Sequence, residues 1–477
     1  MTSMNEESLR VHMIGIGGAG MSGIARVLLA QGKSVSGSDA KESRRLAALR
    51  ALGADIAIGH DVRNLDLGRT ALSVVVASTA IPADNPELAG AVARGLPTWT
   101  RARALASIME GRRGVAIAGT HGKTTTTSML TVALQAAGAD PSFVIGSELQ
   151  ASGANAHLGS GPDFVVEADE SDGSFLQLSP DIAVVTNVEP DHLDHWHNAA
   201  AIDDAFASFV GLVASSASGG TAVICIDDTG GRRLSERARA DGIRVVTYGT
   251  SADADFRMER WQDGDTTRTA GWSFDVVQMG VRLGSIELEV PGRHNALNAT
   301  AALAAGVTMG YPESALREGL ASFTGTRRRF EFKGQVGSIR VFDDYAHHPT
   351  EIAATIAAAR EVAGSGRVVV AFQSHRYSRT AAFMDDFGAA LAAADDVIVL
   401  EVYPAGEDAI PGASGSVLTS SVESHGHESA VFEPSWSLVP ALVAQRVQPG
   451  DLVLTMGAGD VGMLATQIVD NIRKLHP

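Results

Sequence analysis

The sequence predicts an α/β protein of three domains, each built around a sheet of mainly parallel strands. The chain has 477 residues, enough for about three domains of ordinary size. Short apolar runs alternate with helical segments, a rhythm that neither a helix bundle nor an all-β protein shows. Several of these runs end in glycine or polar residues, where ligands of open α/β sheets bind. We place the domains at residues 1–107, 108–325 and 326–477, with the first boundary in a predicted basic helical segment from Arg101 to Arg113.

The composition argues against several classes of protein. The net charge is −17, whereas a general nucleic-acid or membrane-surface role favours a basic face. The single cysteine, Cys225, excludes an internal disulfide and a paired-cysteine metal site. No segment approaches the roughly 20 apolar residues of a membrane span, and the N-terminus lacks a signal-peptide pattern. We therefore expect a cytoplasmic protein without nucleic-acid or membrane partners, as a monomer or weak homodimer.

A glycine-rich turn opens the predicted first domain. Val11–Ile14 is a predicted strand, Gly15–Gly20 is the turn, and Met21–Gln31 is a predicted helix. A second predicted strand ends at Ser38 and Asp39. This is the dinucleotide-binding pattern, in which the helix N-terminus binds a diphosphate and the acid a ribose. The ligand is NAD or another nucleoside diphosphate, unless the glycines only close the turn. Together with the end of the predicted strand Ser73–Ala77, the candidate ligand-binding residues are Gly17, Gly18, Ala19, Gly20, Ser38, Asp39, Ser78, Thr79 and Ala80.

A phosphate-binding loop begins the predicted second domain. The apolar run Val115–Ala118 leads into Gly119–Thr124, and Lys123 opens a predicted helix. In such loops the backbone closes around phosphate oxygens, the lysine reaches the β- and γ-phosphates, and the next hydroxyl ligates Mg²⁺. The strict pattern has glycine where this chain has Ile117, so the loop is a shortened variant; a solvated lysine on a glycine turn is the alternative. The candidate ATP-binding residues here are Gly119, Thr120, His121, Gly122, Lys123, Thr124 and Thr125.

Two acid-rich loops follow predicted strands on the same sheet edge. Glu167–Asp172 follows one strand, and Asn187–His197 follows the next. Carboxylates and an imidazole at this edge can hold Mg²⁺ beside a nucleotide. We nominate Thr124, Glu167 and His192 as the metal ligands. The histidines at positions 192, 195 and 197 leave a zinc site as the alternative, because imidazole is a better ligand for zinc than for magnesium.

Further candidates lie near the second domain boundary and in the third domain. Pro291–Asn298 leads into an alanine-rich helix, where Asn295 either caps the helix or reads a base edge. Thr324–Phe330 is the densest basic run, and guanidinium groups suit phosphate geometry. In the third domain, polar or glycine residues follow four predicted strands at positions 343–349, 373–380, 402–407 and 457–460.

Seven of these motifs, taken in series, resemble the Mur ligases of peptidoglycan synthesis. They are Gly119–Thr124, Glu167–Asp172, Asn187–His192, Gly292–Asn298, Arg328–Phe330, Asp343–Pro349 and His375–Arg379. The resemblance covers essentially the whole chain. With Gly15–Gly20 and Ser36–Asp39 at the front, it is closest to the branch that adds alanine. The carbamylated lysine of several Mur ligases has no counterpart, since no lysine occurs between Lys123 and Lys333, and this absence fits the same branch.

The resemblance implies an ATP-dependent acid–amino-acid ligase. A Rossmann-like first domain would bind UDP-N-acetylmuramate, a central P-loop ATPase domain would bind ATP and Mg²⁺, and a Rossmann-like third domain would bring in L-alanine. The implied catalytic residues are Lys123, Glu167, His192 and His348. The remaining implied residues are His294 and Asn295 at the adenine, Arg328 or Arg329 with Asp344 at phosphate and ribose, and His348, His375, Arg376, Tyr377 and Arg379 around the substrates.

Four other functions remain open from the sequence alone. The serious alternative is the Mur-type ligase that attaches murein tripeptide, because sequence patterning does not show the volume of the amino-acid pocket. An NAD-dependent dehydrogenase would use only the front glycine turn and would leave the phosphate loop unexplained. A nucleotide-gated regulatory protein would hydrolyse ATP without an amine substrate. Folylpolyglutamate synthase shares the later motifs but lacks the front domain.

Overall fold

The computed structural model describes residues 9–68, 70–78, 81–216, 219–262 and 272–476. Within these ranges the chain forms three sheets, of five, ten and six strands. It divides into two compact units, the first comprising residues 1–259, 276–284 and 298–320 and the second 260–275, 285–297 and 321–477. None of the described helices is both long and apolar enough to cross a membrane. The domain boundaries at 107 and 325 stay a prediction.

The first sheet has the strand order β3-β2-β1-β4-β5, with every pair parallel. The order reverses beside β1, so the turn that follows β1 lies at the switch point, where ligands of such sheets bind. Its elements are β1 Arg10–Ile14, α1 Ala19–Ala30, β2 Ser34–Asp39, α2 Arg44–Ala51, β3 Asp55–Ile58, β4 Val74–Ala77, α3 Pro86–Ala93, β5 Thr98–Thr100 and α4 Arg101–Met109.

The predicted end of one helix near this sheet is wrong. The sequence predicts a helical segment from Arg101 to Arg113, but α4 ends at Met109 and Arg113 already begins the next strand. The physical reason is Gly111, whose φ of 79° is a conformation that glycine adopts readily and that ends the helix.

The second sheet has the order β15-β14-β13-β12-β11-β10-β6-β9-β7-β8. Its central strand β6 pairs in parallel with β10 and β9, and Val115–Ala118 are fully buried, as expected of a strand covered on both faces. Its elements are β6 Arg113–Ala118, α5 Lys123–Ala136, β7 Ser142–Val144, β8 Ala156–His157, β9 Asp163–Glu167, β10 Ile182–Val185, α6 Leu193–Trp196, α7 Ala199–Gly211, β11 Thr221–Cys225, α8 Thr229–Ala240, β12 Arg244–Gly249, β13 Phe256–Gln262, β14 Trp272–Gln278, β15 Val281–Leu288, α9 Arg293–Thr308 and α10 Glu313–Ala321.

A continuous apolar core joins the first sheet to the second. The same buried cluster contains Val11 and Met13 of β1, Ile24 of α1 and Ala116 of β6. Helix α1 packs so closely that a Cβ at Gly23 would lie 2.9 Å from Cγ1 of Val144. Both glycine-rich turns therefore belong to one packed body, the first unit.

The third sheet, in the second unit, has the order β16-β17-β21-β18-β19-β20. Strand β16 is antiparallel to β17, and the remaining pairs are parallel. Its elements are β16 Glu331–Val336, β17 Ile339–Asp344, α11 Pro349–Ala363, β18 Val368–Phe372, α12 Tyr377–Ala382, α13 Met384–Leu391, β19 Asp396–Val399, α14 Gly415–Ser424, β20 Ala430–Phe432, α15 Val439–Arg446, β21 Leu452–Met456 and α16 Leu464–Leu475.

Candidate active site

The phosphate-type loop between β6 and α5 is shaped by residues from distant segments. Gly119 has a φ of 137°, and a Cβ there would lie 2.0 Å from Oγ1 of Thr186. Gly122 precedes the first residue of α5 with a φ of 81°, and a Cβ there would lie 2.6 Å from Oδ1 of Asn298. Thr186 donates a hydrogen bond to the carbonyl of His121 at 2.5 Å. The loop can close in this way only because both positions lack a side chain.

Lys123 is held at the start of α5 by oxygen atoms. Its Nζ donates to the carbonyls of Gly119 at 2.6 Å and Thr120 at 3.2 Å, and to Oε1 of Glu170 at 2.8 Å. Burial opposes the charge on Lys123, but the carboxylates of Glu170 and Asp169 outweigh it and raise the pKa of the lysine. Lys123 is therefore a cation at neutral pH, positioned at the positive end of a helix dipole.

Glu170 and Asp169 respond to the same environment in opposite directions. Burial raises the pKa of Glu170 to about 7, against the pull of Lys123. Burial also acts to raise the pKa of Asp169. The charges of Arg101 and Lys123 outweigh it and hold the pKa of that carboxyl well below its usual range. The loop therefore carries one firmly ionised acid beside one acid that is close to taking up a proton.

The structure brings two of the three predicted magnesium ligands together. Oγ1 of Thr124 lies 3.0 Å from each carboxylate oxygen of Glu167, and Oε2 of Glu167 also accepts the amide of Gly146 at 2.8 Å. Hydroxyl and carboxylate oxygens are the donors that Mg²⁺ prefers, so this donor set fits that ion. His192 lies on the loop after β10, where its Nε2 is 3.5 Å from Oδ2 of Asp191, and its role stays a prediction.

The zinc alternative is not supported. Within the described residues, no metal-type cluster combines His192, His195 and His197. His195 instead packs edge-on against Trp196, with ring centres 4.6 Å apart.

The first glycine turn is tied to the ends of β2 and α3. The amide of Gly17 donates to Oδ2 of Asp39 at 2.9 Å, so one oxygen of the predicted ribose-binding acid fixes the turn. Gly18 precedes α1, which begins at Ala19. The hydroxyl of Ser38 donates to Oε2 of Glu87 at 2.7 Å, a buried acid that the sequence reasoning missed. Of the other candidates there, Ser78 follows β4, whereas Thr79 and Ala80 lie outside the described residues.

Arg101 links this turn to the acid-rich loop. It begins α4, and its Nη2 lies 2.8 Å from Oδ2 of Asp169. Its Nη1 lies 2.8 Å from where a Cβ on Gly20 would stand. The guanidinium therefore lies between the N-terminus of α1 and the loop that carries Glu170, and sequence reasoning did not assign it a role.

In the second unit, the predicted adenine and phosphate residues have distinct surroundings. Loss of solvation, reinforced by the charge of Arg329, lowers the pKa of His294 to about 4. Asp344 accepts the amides of Phe330 and Ala346, both at 2.7 Å, while burial raises its pKa to about 6. The guanidinium of Arg329 lies over the ring of Tyr345, 5.3 Å from its centre. Arg329, Asp344 and His294 are thus electrostatically coupled neighbours.

The structure separates the two candidate arginines and corrects the reading of Asn295. Arg328 donates to Oδ2 of Asp343 and to the carbonyls of Gly457 and Gly459, which makes it a support for β17 and β21. Three donors of Arg328 are used in this support, while Nη1 of Arg329 lies 3.7 Å from Oε1 of Glu351, and Arg329 stays the candidate for a phosphate contact. Asn295 is not a helix cap: α9 begins two residues earlier, at Arg293, and the Asn295 side chain donates to the carbonyl of Pro291 at 2.7 Å.

The remaining candidates follow the strands of the third sheet. His348 immediately precedes α11, and its ring packs edge-on against Phe383 at 4.9 Å. His375 stacks on Tyr403 with ring centres 5.4 Å apart. Arg376 adopts a φ of 76°, and its Nε donates to Oε1 of Glu407 at 2.5 Å. Tyr377 begins α12, and Arg379 is buried within that helix.

We expect His294 and His375 to stay neutral at physiological pH. Burial lowers the pKa of each to about 4, with help from Arg329 at His294 and from His347 and two arginines at His375. A histidine with a depressed pKa contributes stability that is present above the unfolded pKa and is lost as the pH falls toward 4. Histidine-detected NMR from pH 8 to 4, with His294→Ala and His375→Ala for assignment, checks this. Ring titration of either residue between pH 6 and 7 would contradict it.

Comparisons with known proteins agree over the whole chain. Residues 10–113 match the model of the Mur ligase family catalytic domain, 117–306 the Mur ligase middle domain, and 328–459 the Mur ligase glutamate ligase domain. A UDP-N-acetylmuramate–L-alanine ligase of Acidothermus cellulolyticus is 56% identical over 466 residues, which cover 98% of this chain and 95% of the relative. One from Saccharopolyspora erythraea is 53% identical over 469 residues, covering 98% and 94%.

Solved structures show the same architecture. The UDP-N-acetylmuramate–alanine ligase of Thermotoga maritima matches with a TM-score of 0.79 and 29% identity, over 98% of this chain and 99% of that one. A murein peptide ligase of Psychrobacter arcticus matches with a TM-score of 0.71 over the same shares, but at 24% identity, which supports the fold alone. The three-domain α/β class predicted from the sequence is confirmed.

Proposed function

Because the chain belongs to the Mur ligase family, we propose that it joins L-alanine to the lactyl carboxylate of UDP-N-acetylmuramate with hydrolysis of ATP. This is an amide-bond ligation in the synthesis of peptidoglycan precursors. The observation that carries the chemistry is the start of α5, where the Lys123 ammonium pairs with Glu170 and the Thr124 hydroxyl contacts the Glu167 carboxylate. The near-full-length identity to alanine-adding relatives supports the choice of amino acid.

The reaction has to make a carboxylate reactive toward an amine, because a carboxylate oxygen is a poor leaving group. A lactyl carboxylate oxygen attacks the γ-phosphorus of ATP, the bond to the ADP oxygen breaks, and an acyl phosphate forms. The amine of alanine then attacks the carbonyl carbon, and inorganic phosphate leaves from the tetrahedral intermediate. The amine proton passes to a base, for which His348 is the candidate.

The chain's own groups act mainly by positioning and by charge. Lys123 and the backbone amides at the start of α5 bind the phosphates and reduce their repulsion of the incoming carboxylate. Thr124 and Glu167, with His192 as the third candidate, would hold Mg²⁺, which supplies further charge neutralisation when it is bound. The first glycine turn binds the UDP part of the acid substrate. In the second unit, neutral His294 and Asn295 serve the adenine, and Arg329 serves the phosphates.

A phosphate-release assay tests the proposal directly. With UDP-N-acetylmuramate, ATP and Mg²⁺, we expect release to depend on added L-alanine and to stop when Mg²⁺ is chelated. Glycine, L-serine and the murein tripeptide, each added alone, test the amino-acid pocket. Release at full rate without any amine would contradict a ligase, and a preference for the tripeptide would favour the recycling reaction.

A further inference from the structure

A buried carboxylate organises the end of the first sheet and has no role in the reaction described above. Glu87, the second residue of α3, is fully buried. Its Oε2 accepts hydrogen bonds from Nε2 of His12 and from Oγ of Ser38, both at 2.7 Å. Its Oε1 lies 3.1 Å from Nδ1 of His60 and accepts from Nδ2 of Asn64 at 3.0 Å. Both oxygens are therefore surrounded by donors.

These donors keep Glu87 ionised. Burial acts to raise the pKa of its carboxyl, but the hydrogen bonds from His12, Asn64 and Ser38 outweigh burial and lower it to about 2. An ionised carboxylate in an apolar interior is costly unless its hydrogen bonds are made. An anion placed here therefore orients every group that donates to it.

The network reaches the ligand-binding edge of the sheet. Ser38 stands at the carboxyl end of β2, and its carbonyl accepts the amides of Gly15 and Ile16 in the first glycine turn at 2.8 and 3.1 Å. His60 follows β3, the strand next to β2. In this fold the diphosphate binds at the turn after β1, and the nucleoside extends toward the end of β2. His60 thus lies at the nucleoside end of the predicted crevice.

The contacts of His60 define which of its nitrogens can meet a ligand. Nδ1 is 3.1 Å from both Oε1 of Glu87 and Oγ of Ser38. Because an ionised carboxylate only accepts, Nδ1 carries the hydrogen, and in a neutral ring Nε2 is then an acceptor. The side chain is 24% exposed. Since Nδ1 faces the buried acid, the exposed part is the opposite edge of the ring, which carries Nε2.

We propose that His60 is a further substrate-binding residue, whose Nε2 accepts a hydrogen bond from the uridine of the UDP-linked substrate, and that Glu87 is the positioning residue that fixes its ring. A uridine nucleotide offers two kinds of donor for this contact, the N3–H of uracil and the ribose hydroxyls. The inference rests on the proposed function, because it assigns roles within the pocket of the same substrate.

The decisive variant is His60→Asn. The amide nitrogen of asparagine replaces Nδ1, so it keeps the donor to Glu87, but nothing replaces Nε2. We expect the KM for UDP-N-acetylmuramate to rise about tenfold, the effect of one lost hydrogen bond, with kcat and the KM values for ATP and alanine unchanged. The matched control is His157→Asn, since His157 is another histidine paired with a carboxylate, Asp140 at 3.0 Å, on the exposed surface of β8.

Glu87→Gln tests the positioning role. The glutamine amide nitrogen carries hydrogens that face the hydrogen-bond donors around position 87. The tautomer of the His60 ring is then no longer fixed. We expect the same rise in KM without a change in kcat, accompanied by a lower melting temperature. The His60→Asn variant, which keeps the buried hydrogen bond, separates a substrate contact from loss of stability. An unchanged KM in that variant would overturn the proposal.

Calorimetry with UDP alone makes the test independent of turnover. We expect His60→Asn to weaken UDP binding about tenfold, and this penalty to disappear for one of N3-methyl-UDP, 2′-deoxy-UDP and 3′-deoxy-UDP, which identifies the donor. A penalty that persists with all three analogues would overturn the assignment. Failure of the ligase assay in the wild type, with these binding differences intact, would contradict the proposed function but leave the uridine contact standing.

Discussion

Replacing Lys123 by alanine is expected to reduce alanine-dependent phosphate release by about a thousandfold. The ammonium is held between the carbonyls of Gly119 and Thr120 and the carboxylate of Glu170, at the point where α5 would meet the β- and γ-phosphates. No other lysine lies between positions 41 and 333, so the predicted central domain has no second lysine to substitute for it. Steady-state phosphate release measures this loss of turnover, and calorimetry measures the loss of ATP binding that we expect with it.

The fold of the Lys123→Ala variant is expected to survive. The pKa of Glu170 is already raised to about 7 by burial, so without Lys123 its carboxyl takes up a proton instead of remaining as an unpaired buried charge. The double variant Lys123→Ala/Glu170→Gln separates a loss of catalysis from a loss of stability, because it carries no buried acid at position 170. Lys474→Ala, on the exposed surface near the end of α16, is the matched control. Normal turnover in Lys123→Ala would refute the assignment of this loop.

Gly119→Ala is expected to abolish turnover and also to destabilise the first unit. A Cβ at this position would lie 2.0 Å from Oγ1 of Thr186 and 3.0 Å from the amide nitrogen of the same residue, on a backbone with φ of 137°. Overpacking together with backbone strain should lower the free energy of unfolding by about 3 kcal/mol or more. Denaturant unfolding and the phosphate-release assay measure the two effects.

Two further variants isolate the cause. Gly138, just beyond the other end of α5, also has a positive φ, of 81°, but a Cβ there meets nothing within 4 Å. Gly138→Ala should therefore lose only about 1 kcal/mol from backbone strain and keep its activity. Gly119→Ala/Thr186→Ala removes the closest contact and should recover part of the lost stability. Equal stability of Gly119→Ala and Gly138→Ala would show that the contact with Thr186 is unimportant.

The features predicted well from the sequence are local. Strand β6, the turn that follows it and the start of α5 lie in one short stretch, where an apolar run, glycines and a lysine each have a direct physical meaning. The same holds for β1 and its glycine turn. Strand ends were also predictable, because the carboxyl ends of parallel strands meet at one edge of a sheet. Three-domain α/β architecture follows from such stretches repeated along the chain.

The features that sequence reasoning missed depend on distant residues. Glu87 follows a proline at the start of a helix, where an acid is ordinary, and nothing local shows that His12, 75 positions away, donates to it. Arg328 and Arg329 are adjacent and chemically identical, so only the direction of each side chain separates a support for two strands from a phosphate candidate. The sequence allows Asn295 to cap α9 or to contact a base, and its position in the first turn of α9 excludes the cap.

The ion pair between Arg101 and Asp169 has a consequence for protein engineering. Gly20 leaves the space that the Arg101 guanidinium fills. The last glycine of the first glycine turn thus accommodates an arginine 81 positions later in the chain. Transplanting the first domain of this chain therefore requires more than an intact glycine turn. A front module moved onto a foreign ATPase core should work only if the recipient supplies an acid where Asp169 stands, and positions 20, 101 and 169 should be exchanged as a set.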